Sequence, residues 1–127
     1  MNTKSKNKLV FLPLGGTGEI GMNMNCYGYG SHIDDMKWLL VDVGITFGDD
    51  TLGGVDVIMP DHGFIKERKE DLDGIFITHA HEDHVCGLAY LWPDLECKIY
   101  ASSFTASIIK LKFDERGINI DDYLNIV

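Results

Sequence analysis

The chain has 127 residues, of which 45% are hydrophobic and 24% charged, and 11 basic against 20 acidic residues give a formal net charge of −9. This composition is ordinary for a folded protein and excludes a disordered chain, and the length suits one domain. No apolar run approaches the roughly 20 residues that cross a bilayer, so we expect no membrane contact and a cytoplasmic chain. The negative charge disfavours a polyanionic ligand, because phosphate contacts depend on Lys and Arg.

The first part of the chain predicts a run of strands. Residues 1–8 form a polar leader without the apolar core of a signal peptide. Residues 8–14 and 22–29 predict two strands joined by a glycine-rich turn. Residues 38–43 are a continuous apolar run, which predicts a strand buried on both faces of a sheet that helices cover. Residues 44–54 predict a loop.

The second part predicts alternating strands and helices. In chain order we expect a short charged helix at 64–70, a buried strand at 74–78, a helix at 84–92 stopped by Pro93, a strand at 98–101 and a helix at 103–115. The last helix has Ser102 or Ser103 as its N-cap and ends at Gly117. Three apolar residues share one face of it, as in an amphipathic helix: Phe104, Ile108 and Leu111.

The three cysteines, Cys26, Cys86 and Cys97, are scattered along the chain. They lack the paired spacing of a disulfide framework or a zinc ribbon. We therefore expect reduced and mostly buried thiols.

The most informative segment is Thr-His-Ala-His-Glu-Asp-His at residues 78–84, directly after an apolar strand. The spacing H-x-H-x-D-H lets His79 and His81 hold one cation while Asp83 and His84 face a second. Zinc accepts imidazole nitrogen and carboxylate oxygen at roughly 2.0 to 2.2 Å, and manganese tolerates similar ligands. The alternative is a solvated turn in which Asp83 serves as the N-cap of the next helix.

Asp42 lies at the carboxyl end of a predicted buried strand, where open sheets present functional groups. A carboxylate there is costly unless it is paired. We expect Asp42 to accept a hydrogen bond from the non-ligating ring nitrogen of a motif histidine, or from a loop amide. The alternative is that Asp42 caps the turn before Gly44. We expect His62 and His32 to lie at the surface.

Residues 16–21 match the dinucleotide pattern G-x-G-x-x-G, and Asp42 follows about 20 residues later. The helix that such a motif requires is missing, because residues 22–30 are rich in Asn and Gly and alternate in polarity. We therefore predict no nucleotide cofactor. The glycines instead let a tight loop approach the metal site, where Asn23 and Glu19 are available for hydrogen bonds.

Together these segments resemble the amino-terminal part of ribonuclease J, a beta-CASP nuclease of the metallo-β-lactamase fold. The resemblance extends from about residue 9 to residue 112, and residues 14–23, 41–44, 60–61 and 74–79 carry it. The histidine motif alone indicates only the superfamily, which also contains lactamases, thioesterases and lactonases. The opening segment narrows it to the nucleases. Cys86 and Ala89 depart from the family pattern, which has a glycine and a proline there.

The resemblance implies an α/β (α+β) fold, namely a metallo-β-lactamase-type αββα sandwich of which residues 9–127 form the amino-terminal half only. It implies a metal-dependent ribonuclease that hydrolyses RNA phosphodiester bonds with two Zn²⁺ ions per complete site, Mn²⁺ being possible. Asp83 and His84 would be catalytic as well as ligating, and Asp42 would support them. The complete protein would bind RNA and form an oligomer.

The ligand count separates these 127 residues from a complete site. A catalytic zinc takes three protein ligands and a water, whereas the motif gives two to each ion and no histidine follows His84. The family's further ligands would lie beyond Val127, so we expect the 127 residues alone to be inactive, with a sheet surface left uncovered. Two alternatives stay open: a small-substrate metallohydrolase of the thioesterase or lactonase type, which the acidic balance favours, and a non-catalytic half of a split protein.

Overall fold

The computed structural model describes residues 6–18, 21–47 and 57–127, which form a six-stranded sheet, a two-stranded ribbon and several short helices. The strands are β1 (Lys8–Gly15), β2 (Met24–Gly30), β3 (Lys37–Val41), β4 (Thr46–Phe47), β5 (Val57–Ile58), β6 (Leu72–Phe76), β7 (Ile99–Ala101) and β8 (Leu124–Ile126). The α-helices are α1 (Gly63–Lys66), α2 (Glu82–Val85), α3 (Leu88–Leu91) and α4 (Ser103–Glu115), with 3-10 turns at Ile33–Asp35, Lys69–Asp71 and Trp92–Asp94. Across the described ranges, no helix has the length and apolar character to cross a bilayer.

Along the strand order β1-β2-β3-β6-β7-β8 of the large sheet, the pairing of neighbouring strands changes once, from antiparallel to parallel. The first three strands are antiparallel neighbours, whereas β3, β6, β7 and β8 run parallel to one another. The crossover from β3 to β6 passes through the β4–β5 ribbon and α1, and later crossovers pass through α2, α3 and α4. The expected α/β class is confirmed. Because β3 and β6 are parallel neighbours, the segments that follow them emerge at the same sheet edge.

One face of the sheet carries the core. Trp38, Leu40 and Ile75 point from the sheet into a cluster whose helical members include Ile109 and Phe113, and all five are at most 1% exposed. Trp38 also meets the Phe64 ring edge-on, with centroids 5.1 Å apart. Helices therefore cover this face, as predicted.

The opposite face is open in the described part of the chain, so the prediction that β3 is buried on both faces is wrong. Along β3, Trp38 and Leu40 are buried while Leu39 between them is 38% exposed. Strand register places six exposed apolar side chains on this open face: Leu9, Phe11, Tyr27, Tyr29, Leu39 and Phe76. An apolar run of this kind suits two covered faces, whereas the described residues supply only one covering layer.

Several predicted boundaries shift. The predicted helix at 84–92 divides into α2 and α3 at Gly87, whose N–H donates to the Val43 carbonyl 2.9 Å away. Pro93 lies inside a 3-10 turn instead of ending a helix. The predicted helix at 64–70 becomes α1 and a 3-10 turn, and the predicted strand at 74–78 becomes β6. The predicted loop at 44–54 contributes β4, and its residues 48–54 lie outside the described ranges.

Helix α4 confirms its predicted ends. The Ser102 hydroxyl accepts the Thr105 N–H, and Gly117 has a φ of 71° and donates to the Asp114 carbonyl just past the last turn. Its predicted apolar face is not the buried one. Phe104 and Leu111 are 70% and 56% exposed, whereas the residues that enter the core are Thr105, Ala106, Ile109 and Phe113.

The cysteines behave as the sequence predicts. All three are free, and Cys26 and Cys97 are buried. Burial raises the pKa of both of these thiols to about 12, so they stay protonated and unreactive at neutral pH. Partial burial also raises the pKa of Cys86.

The open sheet face predicts that the 127-residue chain self-associates, because contiguous exposed apolar surface is removed from water by contact between copies. Replacing Phe11 and Tyr29 together by Lys should shift the sedimentation coefficient toward that of a monomer. Phe104→Lys is the matched control, since Phe104 is exposed but lies on α4. A wild-type chain that sediments as a monomer at every concentration would contradict this prediction.

Candidate metal centre

Asp42 begins the site, directly after β3. Its backbone N–H donates to the Phe76 carbonyl of β6 at 2.9 Å, which continues the contact between the two parallel strands. Its φ is 64°, a left-handed conformation that is uncommon outside glycine and that Asp tolerates better than most residues. The residue is only 4% exposed. The turn therefore directs a buried carboxylate toward the loop that follows β6.

The Asp42 carboxylate contacts Thr78 of that loop and His84 of α2. Oδ1 accepts the Thr78 backbone N–H at 2.8 Å, and the Thr78 hydroxyl lies 3.0 Å from Oδ1 and 2.8 Å from Oδ2. Oδ2 also lies 2.7 Å from Nδ1 of His84. These contacts favour the interpretation that Asp42 supports a motif histidine over the alternative that it caps the turn before Gly44.

The motif side chains form one cluster. The ring centroid of His79 lies 4.5 Å from that of His81 and 4.1 Å from that of His84. Oδ2 of Asp83 is 3.5 Å from Nε2 of His84, the ring nitrogen that faces away from Asp42. The structure thus brings together all four of the predicted ligands, at the sheet edge where Asp42 also lies.

The cluster falls short of a complete metal site. Within the described ranges, no group of three or more His, Cys, Asp or Glu side chains is arranged to hold a metal ion. A structural zinc takes four ligands and a catalytic zinc takes three protein ligands with a water. Donors other than His79, His81, Asp83 and His84 are therefore needed to complete a structural or a catalytic zinc site.

Asn23 connects the glycine-rich loop to the cluster. Its side-chain amide nitrogen lies 3.0 Å from the Asp83 carbonyl oxygen, 3.3 Å from Oδ2 of Asp83 and 3.4 Å from Nε2 of His84. A carbonyl only accepts, so the group that faces it is the NH₂ and not the amide oxygen. The predicted approach of this loop is confirmed for Asn23, while Glu19 lies outside the described residues. Gly16 is needed here, because a Cβ on it would lie 2.5 Å from Oδ1 of Asn23.

The backbone around Gly44 crosses the motif at very short range. Val43 N–H donates to the His84 carbonyl at 2.8 Å, and Gly44 N–H donates to the Asn23 carbonyl at 2.9 Å. A Cβ on Gly44 would lie 1.7 Å from the Asp83 carbonyl oxygen. Sequence reasoning assigned Gly44 only to a loop and gave no role to Thr78. The glycine following Asp42 and the Thr preceding His79 were the available signals.

The other candidate side chains lie apart from the cluster. His62, predicted to lie at the surface, is partly buried, with its side chain 20% exposed. Its Nε2 is 2.8 Å from Oδ2 of Asp94, and this hydrogen bond is the main reason that the pKa of Asp94 falls below its ordinary value. His32 is exposed at the turn before the Ile33–Asp35 segment, as predicted. Glu82 is exposed in the first turn of α2.

Gly44→Ala should lower the free energy of unfolding by about 3 kcal/mol or more, because the new methyl group overlaps a backbone carbonyl that no rotamer change can move. Urea unfolding followed by fluorescence of the buried Trp38 and Trp92 measures this loss. Gly63→Ala is the control: its Cβ would contact only the exposed Asp61 side chain, so a change within about 1 kcal/mol is expected. Equal stability of the two variants would contradict the crossing.

Comparison with known proteins places this geometry in context. Residues 24–116 match the family described as the metallo-beta-lactamase superfamily. Ribonuclease J of Sinorhizobium meliloti is 51% identical over 105 residues, which cover 83% of this chain and 18% of that protein. Ribonuclease J of Helicobacter pylori is 39% identical over 119 residues, or 93% and 16%. Ribonuclease J 2 of Staphylococcus aureus is 38% identical over 117 residues, or 91% and 20%. The chain thus spans at most a fifth of the length of these relatives.

Proposed function

The chain belongs to the metallo-beta-lactamase superfamily, and from this premise we propose that it supplies the histidine-rich part of the metal centre of a ribonuclease J-type nuclease. The observation that carries the proposal is the cluster of His79, His81 and His84, with ring centroids 4.1 and 4.5 Å apart, beside a buried carboxylate. The relatives, which are ribonucleases J, support the same reaction class, hydrolysis of RNA, and the resemblance points to the beta-CASP nucleases.

The donor chemistry of the cluster fits divalent cations. Imidazole nitrogens and a carboxylate suit Zn²⁺, and Mn²⁺ binds the same ligand types with a greater preference for oxygen donors. We assign His79 and His81 to one cation and Asp83 and His84 to the other, with Asp42 outside both coordination shells. When bound, divalent cations would supply Lewis acidity toward phosphoryl oxygens and lower the pKa of bound water toward neutrality.

The residues of this chain orient the donors. Asp42 accepts the Nδ1–H of His84, which leaves Nε2 with a lone pair for a cation. The Asn23 amide donates to Asp83 at its carbonyl oxygen and at Oδ2, which holds the backbone and side chain of this ligand together. Asp83 and His84 are the groups we assign beside the reacting water and phosphodiester.

RNA must be held largely by sequence outside these residues. The chain carries a net charge of −9, whereas phosphate binding depends on Lys and Arg that release counterions. The relatives are at least five times as long as the segment matched here. The net charge of a complete relative is therefore not determined by this segment. We propose that the complete protein binds RNA, forms an oligomer and acts in the cytoplasm.

The main test is RNA hydrolysis by the full-length product of the gene, with the 127-residue chain assayed beside it. We expect EDTA to abolish hydrolysis and Zn²⁺ or Mn²⁺ to restore it, because the donors act through cations. His81→Ala should lower kcat at least 100-fold, whereas His32→Ala, which removes an exposed histidine far from the motif in sequence, should leave kcat unchanged. The 127-residue chain alone should show no turnover. RNA cleavage that persists in EDTA would reject the proposal.

The acidic balance favours a second candidate, a hydrolase of small thioesters or lactones. Thioester and lactone hydrolysis, measured on the same preparation as RNA hydrolysis, separates the two candidates. A third candidate, a non-catalytic half of a split protein, is excluded if the 127-residue chain alone turns over substrate and binds two equivalents of metal.

Asp42→Asn tests the supporting role of this carboxylate. The amide is isosteric but presents an NH₂ where an acceptor is needed, so His84 loses its orienting partner. We expect Zn²⁺ affinity in the full-length protein to fall about 10- to 100-fold, as measured by competition with a chromophoric chelator. Asp94→Asn is the matched control, because Asp94 pairs with His62 outside the cluster. Equal affinity in the Asp42→Asn variant and the wild type would show that Asp42 does not support the ligands.

A further inference from the structure

The Thr78 hydroxyl lies between the buried carboxylate and a second histidine. Its Oγ1 is 3.0 Å and 2.8 Å from the two oxygens of Asp42, and 2.9 Å from Nδ1 of His79. The Thr78 backbone is held as well, since its N–H donates to Oδ1 of Asp42 at 2.8 Å. The side chain is therefore fixed at two points against Asp42, with its hydroxyl in contact with His79.

The hydroxyl has one proton to donate, and the geometry decides where it goes. A carboxylate only accepts hydrogen bonds, so the contacts with Asp42 require the hydroxyl to donate in that direction. If the proton pointed to His79 instead, the oxygen lone pairs of Thr78 would face two carboxylate oxygens without an intervening hydrogen. Oγ1 must therefore accept from His79, which requires a proton on Nδ1 of that ring.

We propose that Thr78 is a positioning residue. Its hydroxyl donates to Asp42 and accepts the Nδ1–H of His79, so that Asp42 acts on His79 through Thr78. The relay selects the tautomer of His79 that carries its proton on Nδ1, which leaves Nε2 as the lone-pair donor. This inference rests on the proposed function for one point only, namely that the freed Nε2 faces a cation. In this arrangement one carboxylate orients two histidines, His84 directly and His79 through Thr78.

Two substitutions separate the hydroxyl from the rest of the side chain. Thr78→Val has nearly the same shape and keeps the backbone N–H bond to Asp42, but it has no hydroxyl. His79 then loses the acceptor for its Nδ1 proton, and its ring is free to adopt the other tautomer. Thr78→Ser removes only the methyl group and keeps the relay.

The test is the histidine ¹⁵N NMR spectrum of the 127-residue chain without metal, recorded at a pH where the imidazoles are neutral. Protonated and unprotonated ring nitrogens differ in shift and in their couplings to ring protons, so each tautomer is read directly. We expect the wild type and Thr78→Ser to carry the His79 proton on Nδ1, and Thr78→Val to move it wholly or partly to Nε2. The His62 signal, from the pair with Asp94, is an internal control and should not change.

The wild-type spectrum alone can overturn the inference, whether or not the valine variant folds. If wild-type His79 carries its proton on Nε2, the relay does not exist. An unchanged Nδ1 tautomer in a folded Thr78→Val variant would likewise reject Thr78 as its cause.

Metal affinity of the full-length protein tests the remaining link to the cation. We expect Thr78→Val to weaken Zn²⁺ or Co²⁺ binding about 10- to 100-fold, which is the range seen when hydrogen-bond partners of metal ligands are removed. Thr78→Ser keeps the hydroxyl and should weaken binding by no more than about threefold. A changed tautomer with unchanged affinity would reject the positioning role. A wild-type protein that binds no metal would reject the proposed function, while the tautomer result would still decide the relay.

Discussion

The structure depends on one buried carboxylate. Asp42 is 4% exposed, and a buried charge of this kind is stable only when hydrogen bonds replace its hydration. Its partners are the amide and hydroxyl of Thr78, in the loop after the neighbouring parallel strand β6, and the ring of His84 in α2. The hydrogen bonds that stabilise the carboxylate therefore also fix the positions of the loop and of His84. The same contacts stabilise the fold and arrange the site.

Close backbone approach is the second requirement. The segments that contain Gly16, Gly44 and Gly87 each pass within contact distance of another segment, and at each position a Cβ would overlap a neighbour. The sequence predicts that the four motif side chains lie together, because all of them lie within six residues of each other. It does not predict the crossing around Gly44, since partners far apart in sequence, as Val43 and His84, leave no periodic signal. Thr78 was overlooked for a related reason, because its role depends on a carboxylate 36 residues earlier.

The predicted fold shows a similar division. The order of strands and helices and the caps of α4 followed from local chemistry, and the structure confirms them. The burial of β3 did not follow from local chemistry. An apolar run shows that a surface avoids water, but it does not show which layer covers that surface. On α4, two different sets of apolar positions satisfy the helical period, and the buried set is the one with Ile109 and Phe113. Strand β8 was not predicted, since Leu124–Ile126 is too short for a period to be visible.

The relay through Thr78 has a consequence for how two cations would share the centre. Under the proposed assignment, His84 belongs to one cation and His79 to the other, so Asp42 acts on a ligand of each. A cation bound by either ring would draw electron density from it, which would strengthen the hydrogen bond of His84 to Asp42 or of His79 to Thr78 and leave less acceptor capacity in Asp42 for the other ring. Two bound ions would then interact through the protein as well as through space.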